Sequence, residues 1–339
     1  MNRFEYASAK STQQAVGMLS SQWGETEILA GGTDLLSLMK DDVVAPKRVI
    51  NIKEIPDLAG ISYGPRGLRI GALTRLVDIV ENPAVRQHYP KLADDVSDAA
   101  SPQIRNMATI GGNLCQRPRC WYFRNGLGLL AQQDGKSLVT EGDNRYHAIL
   151  GNDGPAYFVS PSTIAPMLVA LNAKVRIAGP SGSREVDLEK FYRIPASESE
   201  REHDLKPNEI VTDVLVPLPR ADTKVGNYEV RQKAAFDWPF ATAVAVIWMK
   251  GSTIENARIV MGAVAPVPWV SQEAAQAMIG KPLNEQTASA AAAASVSKAR
   301  ALSQNGFKIK LAGVAVKRAI LAAAGERVPD IHEQKGGAA

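Results

Sequence analysis

The chain has 339 residues, more than the roughly 100–200 of one typical domain, which predicts two or three structural units around at least one sizeable core. Its 45% hydrophobic and 22% charged residues are typical of a folded globular protein rather than of a long disordered one. The 39 Lys and Arg exceed the 35 Asp and Glu by only four, without a basic block, which argues against a nucleic-acid partner.

The sequence also argues against a membrane segment and an export signal. The most apolar stretch, residues 241–249, is about half as long as the ~20 residues that a membrane-spanning helix requires. The first residues lead into polar sequence without the apolar core of a signal peptide. Two cysteines are too few for a secreted disulfide framework.

The first fifty residues alternate helical and strand-like patterns. Residues 11–19 predict a helix that begins at a capping serine, and residues 27–30 predict a short buried strand. A helix at 35–39 and a second strand at 48–52 follow. These elements predict a βαβ-like unit that is too small for a complete doubly wound sheet.

The middle of the chain is mixed in pattern and predicts an α+β unit. A strand is predicted at residues 68–72 and a helix at 74–81. Residues 197–206 predict an exposed loop, in which Glu198 and its neighbours form a solvated face.

A third unit is predicted to begin near Tyr228, with a sheet followed by helices. Strands are predicted at residues 241–249 and 257–264. Alanine-rich segments at 288–294 and 312–324 predict helices on propensity alone.

Residues 30–36, Ala-Gly-Gly-Thr-Asp-Leu-Leu, place two glycines between a predicted strand and a predicted helix. Glycine lets the backbone approach a ligand closely, and the helix start points N–H donors outward, which favours an anion such as a phosphate. A plain tight turn is the alternative, because the fuller dinucleotide fingerprint is absent.

A second pair of adjacent glycines, Gly111 and Gly112, is flanked by Thr109 and Asn113. Two such turns can converge on the two halves of one pyrophosphate from opposite sides. Two unrelated turns are the alternative.

Together, residues 30–36 and 109–113 resemble the paired FAD-binding loops in the flavin subunit of molybdenum hydroxylases, the xanthine dehydrogenase and carbon monoxide dehydrogenase family. The resemblance covers nearly the whole chain and includes residues 161–171 and 228–245. Residues 117–124 and 143–149 resemble most closely the flavin subunits of bacterial aldehyde oxidoreductases.

The resemblance implies an α+β chain with a two-lobed FAD-binding fold of the vanillyl-alcohol-oxidase (PCMH) type. A C-terminal antiparallel sheet with a helix bundle would follow. The implied parts are FAD-binding subdomain 1 (1–55), FAD-binding subdomain 2 (56–222), a C-terminal flavoprotein domain (223–330) and a flexible tail (331–339).

By position, the resemblance implies that main-chain donors of the first loop hold the pyrophosphate and that the second loop closes over it. Thr163 and Lys233 would lie near the rest of the cofactor. Thr163 departs from the family pattern, which has Asp there, so a weaker acceptor would face an adenosine hydroxyl. The implied cofactor-binding residues are Leu29, Ala30, Gly31, Gly32, Thr33, Asp34, Leu35, Leu36, Thr109, Gly111, Gly112, Asn113, Thr163 and Lys233. No catalytic or metal-binding residue is implied.

Cys115 and Cys120 resemble the beginning of a loop that binds a four-iron cluster in aldehyde oxidoreductase relatives. Such a cluster needs four thiolates or near equivalents, and this chain has two cysteines. We interpret residues 115–147 as a remnant of that loop without its cluster. The alternatives are that His147 completes an unusual site or that a partner chain donates ligands.

The resemblance implies an oxidoreductase, the FAD-binding electron-transfer subunit of a heterotrimeric molybdenum hydroxylase acting on aldehydes. A large molybdopterin-binding subunit would oxidise the substrate and a small subunit would relay electrons through two-iron clusters. The FAD of this chain would pass them to an acceptor such as oxygen or a quinone. The expected location is the cytoplasm, or the periplasm by co-export with a signal-bearing partner.

Two other functions remain open from the sequence. One is a self-contained FAD-dependent oxidase or reductase of the same fold, which would need its own substrate pocket. The other is a structural module whose glycine loops hold no nucleotide.

Overall fold

A computed structural model of the chain describes residues 1–231 and 238–329. The chain divides into two compact units. The first unit consists of Met1–Leu138 and Asn172–Leu218, and the second of Val139–Leu171 and Pro219–Ala339. Both units are therefore built from two separate stretches of sequence.

The described residues form short strands and mostly short helices. The strands are β1 (Glu5–Ser8), β2 (Thr26–Leu29), β3 (Arg48–Asn51), β4 (Ile61–Gly64), β5 (Gly67–Gly71), β6 (Gln132–Gln133), β7 (Lys136–Ser137), β8 (Lys174–Gly179), β9 (Gly182–Asp187), β10 (Ile210–Val216), β11 (Thr223–Val230), β12 (Ala241–Lys250), β13 (Thr253–Gly262) and β14 (Trp269–Val270). The helices are α1 (Thr12–Met18), α2 (Leu35–Lys40), α3 (Leu76–Glu81), α4 (Pro83–His88), α5 (Pro90–Asp98), α6 (Pro102–Arg105), α7 (Ile110–Cys115), α8 (Trp121–Arg124), α9 (Leu138–Glu141), α10 (Ala165–Ala170), α11 (Leu188–Phe191), α12 (Gln272–Met278), α13 (Glu285–Ser295) and α14 (Phe307–Ala323).

The first unit opens with a three-stranded parallel sheet in the order β1-β3-β2. Ser11 begins α1 by accepting a hydrogen bond from the Gln14 N–H at 3.1 Å, which satisfies one of the free donors at the helix start. Apolar residues such as Ile50 pack beneath this sheet in one buried core cluster. The parallel β2-α2-β3 connection confirms the predicted βαβ-like unit and places the turn after β2 at the carboxyl edge of the sheet.

A five-stranded sheet in the order β4-β5-β10-β8-β9 completes the first unit. Its neighbouring strands are all antiparallel. Helix α7 packs against β5 and β10, so the second glycine pair lies on this sheet. The predicted second glycine turn is therefore the first turn of helix α7, which begins after Thr109, and not a turn outside a helix.

The second unit is a four-stranded antiparallel sheet, β11-β12-β13-β14, against which α12 and α14 pack, and α13 packs on these two helices. Its core contains many small residues, which let helix and sheet approach closely. At Gly226 on β11, an added Cβ would lie 2.3 Å from the carbonyl oxygen of Ala319 on α14. Only glycine fits at such a crossing. The predicted order of sheet before helices is confirmed.

The other predicted elements agree with the structure, with shifts at their ends. The strand predicted at 68–72 is β5, and the helix predicted at 74–81 begins at Leu76. The alanine-rich segments lie within α13 and α14. None of the helices in the described part of the chain is long and apolar enough to cross a bilayer.

Residues 198–200 of the predicted exposed loop are exposed, whereas Glu202 and His203 are buried, so the prediction is wrong for the second half of the loop. Glu198 also makes contacts that the sequence did not indicate. Its carboxylate accepts hydrogen bonds from the N–H groups of Leu129 and Leu130 at 2.8 and 2.7 Å. Both leucines are buried. Glu198 therefore anchors the segment after α8, because buried amides require an acceptor.

We expect Glu198→Ala to release this segment. Two amides would lose a charged acceptor, at a cost of about 1–3 kcal/mol for each group left unsatisfied. Limited proteolysis should then cut within residues 125–137 faster than in the unmodified protein. Glu81→Ala, at an exposed helix end, is the control and should leave the cleavage rate unchanged. Equal rates in all three proteins would contradict the anchoring role.

Candidate functional site

Within the first unit, the first glycine turn contacts the residues that lead into the second, although the two are remote in sequence. An added Cβ at Gly31 would lie 2.1 Å from the carbonyl oxygen of Met107 and 3.2 Å from the Cα of Ala108. Those two residues lead directly into Thr109, which begins α7. The contact requires glycine at position 31, since any side chain would push the two turns apart.

The remaining glycines of the two turns have different constraints. Gly32 has φ +74°, a left-handed conformation that glycine adopts readily. An added Cβ at Gly111 would lie 2.8 Å from the Cβ of Ala72, so Gly111 lets α7 sit close to the sheet. At Gly112 an added Cβ would meet only Thr109 Oγ1, at 3.0 Å.

A cleft with a cavity volume of about 210 Å³ opens beside the two turns. Of the residues implied by the resemblance, it is lined by Ala30, Gly31, Gly32, Thr33, Asp34, Leu35, Thr109, Gly111 and Gly112. Leu29 is the last residue of β2, Leu36 lies in α2 and Asn113 lies in α7, and none of the three lines the cleft. Thr163 lies in the second unit, shortly before α10, and Lys233 lies outside the described residues.

The two turns offer different groups to a ligand. In the described part of the chain, the N–H groups of residues 31–34 in the first turn donate to no protein acceptor. In the second turn, Gly111 donates to the carbonyl of Ala72 at 2.9 Å, and Gly112 donates to Thr109 Oγ1 at 3.2 Å. The first turn therefore supplies hydrogen-bond donors. The second turn supplies backbone atoms that line the cleft without free donors at Gly111 and Gly112. Free amides at a helix start fit a phosphate group.

Charged side chains that sequence reasoning missed line another part of the cleft. Glu202 is 3% exposed and pairs with Arg117, while its Oε2 has no partner among the described residues. Burial raises the pKa of Glu27; Arg117 opposes this shift and Glu202 adds to it. Burial also lowers the pKa of His203. No spacing motif links these residues, so the sequence carried no signal for them.

The two cysteines lie at the ends of short helices, Cys115 at the last residue of α7 and Cys120 immediately before α8. Burial, with a contribution from Glu202, raises the pKa of Cys115 to about 12, and burial also raises the pKa of Cys120. Burial therefore favours the neutral thiol over the reactive thiolate at both positions.

The residues present do not fit a four-iron cluster. Within residues 1–231 and 238–329, no three His, Cys, Asp or Glu side chains are arranged to hold a metal ion. His147, the alternative ligand, is not part of any such group among these residues. We therefore assign no electron-transfer step to a cluster in this chain.

Two family descriptions cover the chain almost completely. The family described as "FAD binding domain in molybdopterin dehydrogenase" matches residues 2–219. The chain belongs to this family. A second family, described as "CO dehydrogenase flavoprotein C-terminal domain", matches residues 227–323.

Individual relatives agree with this membership. The aldehyde oxidoreductase FAD-binding subunit of Escherichia coli is 31% identical over 92% of this chain and 95% of the relative. The carbon monoxide dehydrogenase medium chain of Hydrogenophaga pseudoflava is 29% identical over 95% of this chain and 97% of the relative. A solved carbon monoxide dehydrogenase structure from the same organism, which lacks the Mo-pyranopterin moiety, superposes with a TM-score of 0.75 over 96% of this chain and 98% of that chain.

These matches confirm several predictions. The family, the FAD-binding fold with its C-terminal domain, the FAD cofactor and the oxidoreductase class are all supported. The role as flavin subunit of a multi-subunit molybdenum hydroxylase is supported as well. The residue-level FAD contacts stay predictions.

Proposed function

We propose that this chain binds FAD through its two glycine turns and serves as the flavin subunit of a heterotrimeric, aldehyde-oxidising molybdenum hydroxylase. The contact between Gly31 and the Met107 carbonyl carries the proposal, because it brings both turns to one cleft. The aldehyde substrate rests on the similarity to the aldehyde oxidoreductase FAD-binding subunit.

The two turns make different contributions to FAD binding. The free amides of residues 31–34 donate to the pyrophosphate, which is the part of FAD that carries negative charge. Gly112, with little around it, lets the phosphate approach α7. When bound, FAD supplies the redox chemistry, and the protein supplies position and electrostatics. Contacts from Thr163 and Lys233 remain part of the proposal, as does the division at residues 55 and 222.

The partners follow from the subunit role. A large molybdopterin-binding subunit oxidises the aldehyde, a small two-iron subunit relays electrons, and this chain delivers them to an external acceptor such as oxygen or a quinone. Relatives named as medium chains support this arrangement. We place the complex in the cytoplasm, or in the periplasm by co-export with a signal-bearing partner.

The proposal is tested by purifying the chain alone and together with its partners. The chain alone should hold about one FAD, seen as the visible absorbance band of oxidised flavin, and should not oxidise aldehydes. The complex should oxidise aldehydes and contain molybdenum. A chain without flavin would contradict the FAD role, and unaided turnover of a small substrate would favour the self-contained oxidase instead.

A further inference from the structure

The carboxylate of Asp34, at the end of the first glycine turn, is held by residues more than eighty positions away. Asp34 immediately precedes α2, yet its side chain does not cap that helix. Its Oδ1 accepts from Arg124 Nη2 at 2.8 Å and lies 3.0 Å from Arg119 Nη2. Its Oδ2 accepts from the Arg117 N–H at 2.8 Å. All three partners belong to residues 115–147, the segment whose beginning resembles a loop that binds a four-iron cluster.

The partner segment is itself held in shape by one of these arginines. Arg124 Nη2 also donates to the carbonyl of Arg117 at 2.9 Å, and Arg124 Nε donates to the carbonyl of Pro118 at 2.8 Å. The side chains of Arg124 and Asp34 are only 14% and 15% exposed. An ion pair shielded in this way is stronger than one at the surface, where solvent and salt weaken it.

The charge balance around the turn suits an anionic ligand. The guanidinium groups of Arg119 and Arg124 both face the Asp34 carboxylate, so two positive charges meet one negative charge beside the free amides. Without the arginines, the Asp34 carboxylate would stand unpaired in the turn that must receive a pyrophosphate. Like charges at that distance repel in a partly buried site.

We propose that Arg119 and Arg124 are positioning residues for FAD binding. By holding Asp34 they fix the first glycine turn with its amides free, and they neutralise the one carboxylate within it. The segment 115–124 thus holds the first glycine turn in place for the cofactor. This inference rests on the proposed function and adds residues that the two glycine turns do not include.

The inference is tested with apoprotein titrated with FAD, followed by the quenching of flavin fluorescence. Arg124→Gln and Arg119→Gln should each raise the Kd for FAD about tenfold to one-hundredfold, the range of a lost hydrogen bond to a charged group. Arg124→Lys, which keeps the charge, should recover part of the affinity. Arg86→Gln is the control, because Arg86 also donates to a carbonyl, that of Val80, but does not contact Asp34.

A double variant separates positioning from general loss of stability. Asp34→Asn removes the repelling carboxylate, so Asp34→Asn/Arg124→Gln should bind FAD more tightly than Arg124→Gln alone. Additive losses would overturn the inference, as would wild-type affinity in both arginine variants, whatever their melting temperatures. Absence of FAD binding by the unmodified protein would instead contradict the proposed function.

Discussion

Replacing Gly31 with alanine is expected to abolish stable FAD binding and to lower the free energy of unfolding of the first unit by about 1–3 kcal/mol or more. The new Cβ would lie 2.1 Å from a backbone carbonyl oxygen, that of Met107, which cannot rotate away as a side-chain tip can. The two turns must therefore separate, and the cleft that they share is lost. Flavin content per chain after gel filtration measures the first effect, and urea unfolding measures the second.

Gly17→Ala is the matched control for this prediction. Gly17 lies inside α1 of the same unit, and an added Cβ there meets nothing within 4 Å. Alanine should stabilise the helix by roughly 0.5–1 kcal/mol and leave FAD content unchanged. Gly112→Ala should have a smaller effect than Gly31→Ala, since its Cβ meets only a hydroxyl oxygen. Full flavin content in Gly31→Ala would contradict the requirement for contact between the turns.

Replacing Lys308 with methionine is expected to destabilise the second unit in a pH-dependent manner. Lys308 is 1% exposed, and its Nζ lies within hydrogen-bond distance of the carbonyls of Tyr146, His147 and Ala263, at 3.1, 3.0 and 2.8 Å. Asn305 also donates to the His147 carbonyl, so methionine removes hydrogen bonds chiefly from the carbonyls of Tyr146 and Ala263. The loss should be about 2–6 kcal/mol at pH 9, at roughly 1–3 kcal/mol for each of these two carbonyls.

The sign of the pH dependence follows from burial, which lowers the pKa of Lys308 from 10.5 to about 7. Between these values the unfolded chain holds the proton and the folded chain does not. The stability of the unmodified protein should therefore rise with pH above 7, by up to about 1.4 kcal/mol per pH unit from this group. Lys308→Met should lack this contribution, so the difference between the two proteins should shrink as the pH falls towards 6.

Urea unfolding at several pH values measures this difference. Lys310→Met is the control, because Lys310 is exposed on the same helix. It should change stability by no more than about 0.5 kcal/mol at any pH. A constant difference between Lys308→Met and the unmodified protein from pH 6 to 9 would contradict a proton-linked role for Lys308.

The local elements could be predicted from the sequence because their causes are local. Ser11 begins α1 through a hydrogen bond to the backbone three residues on, and alanine-rich segments form helices by propensity. The glycine pair at 31–32 directly follows a strand, as its pattern indicates. The resemblance of both turns to known FAD-binding loops then identified the cofactor, and the family matches confirm it.

The pairing of distant groups was decided only by the tertiary structure. Asp34 faces Arg119 and Arg124, Glu198 caps two buried amides, and Lys308 is fully buried, although charged residues usually predict solvent exposure. Each of these contacts joins residues far apart in the chain, so its geometry depends on how complete elements pack. A short sequence pattern records the preference of a residue for a turn or a helix, but it does not record which distant donor or acceptor the fold will bring to it.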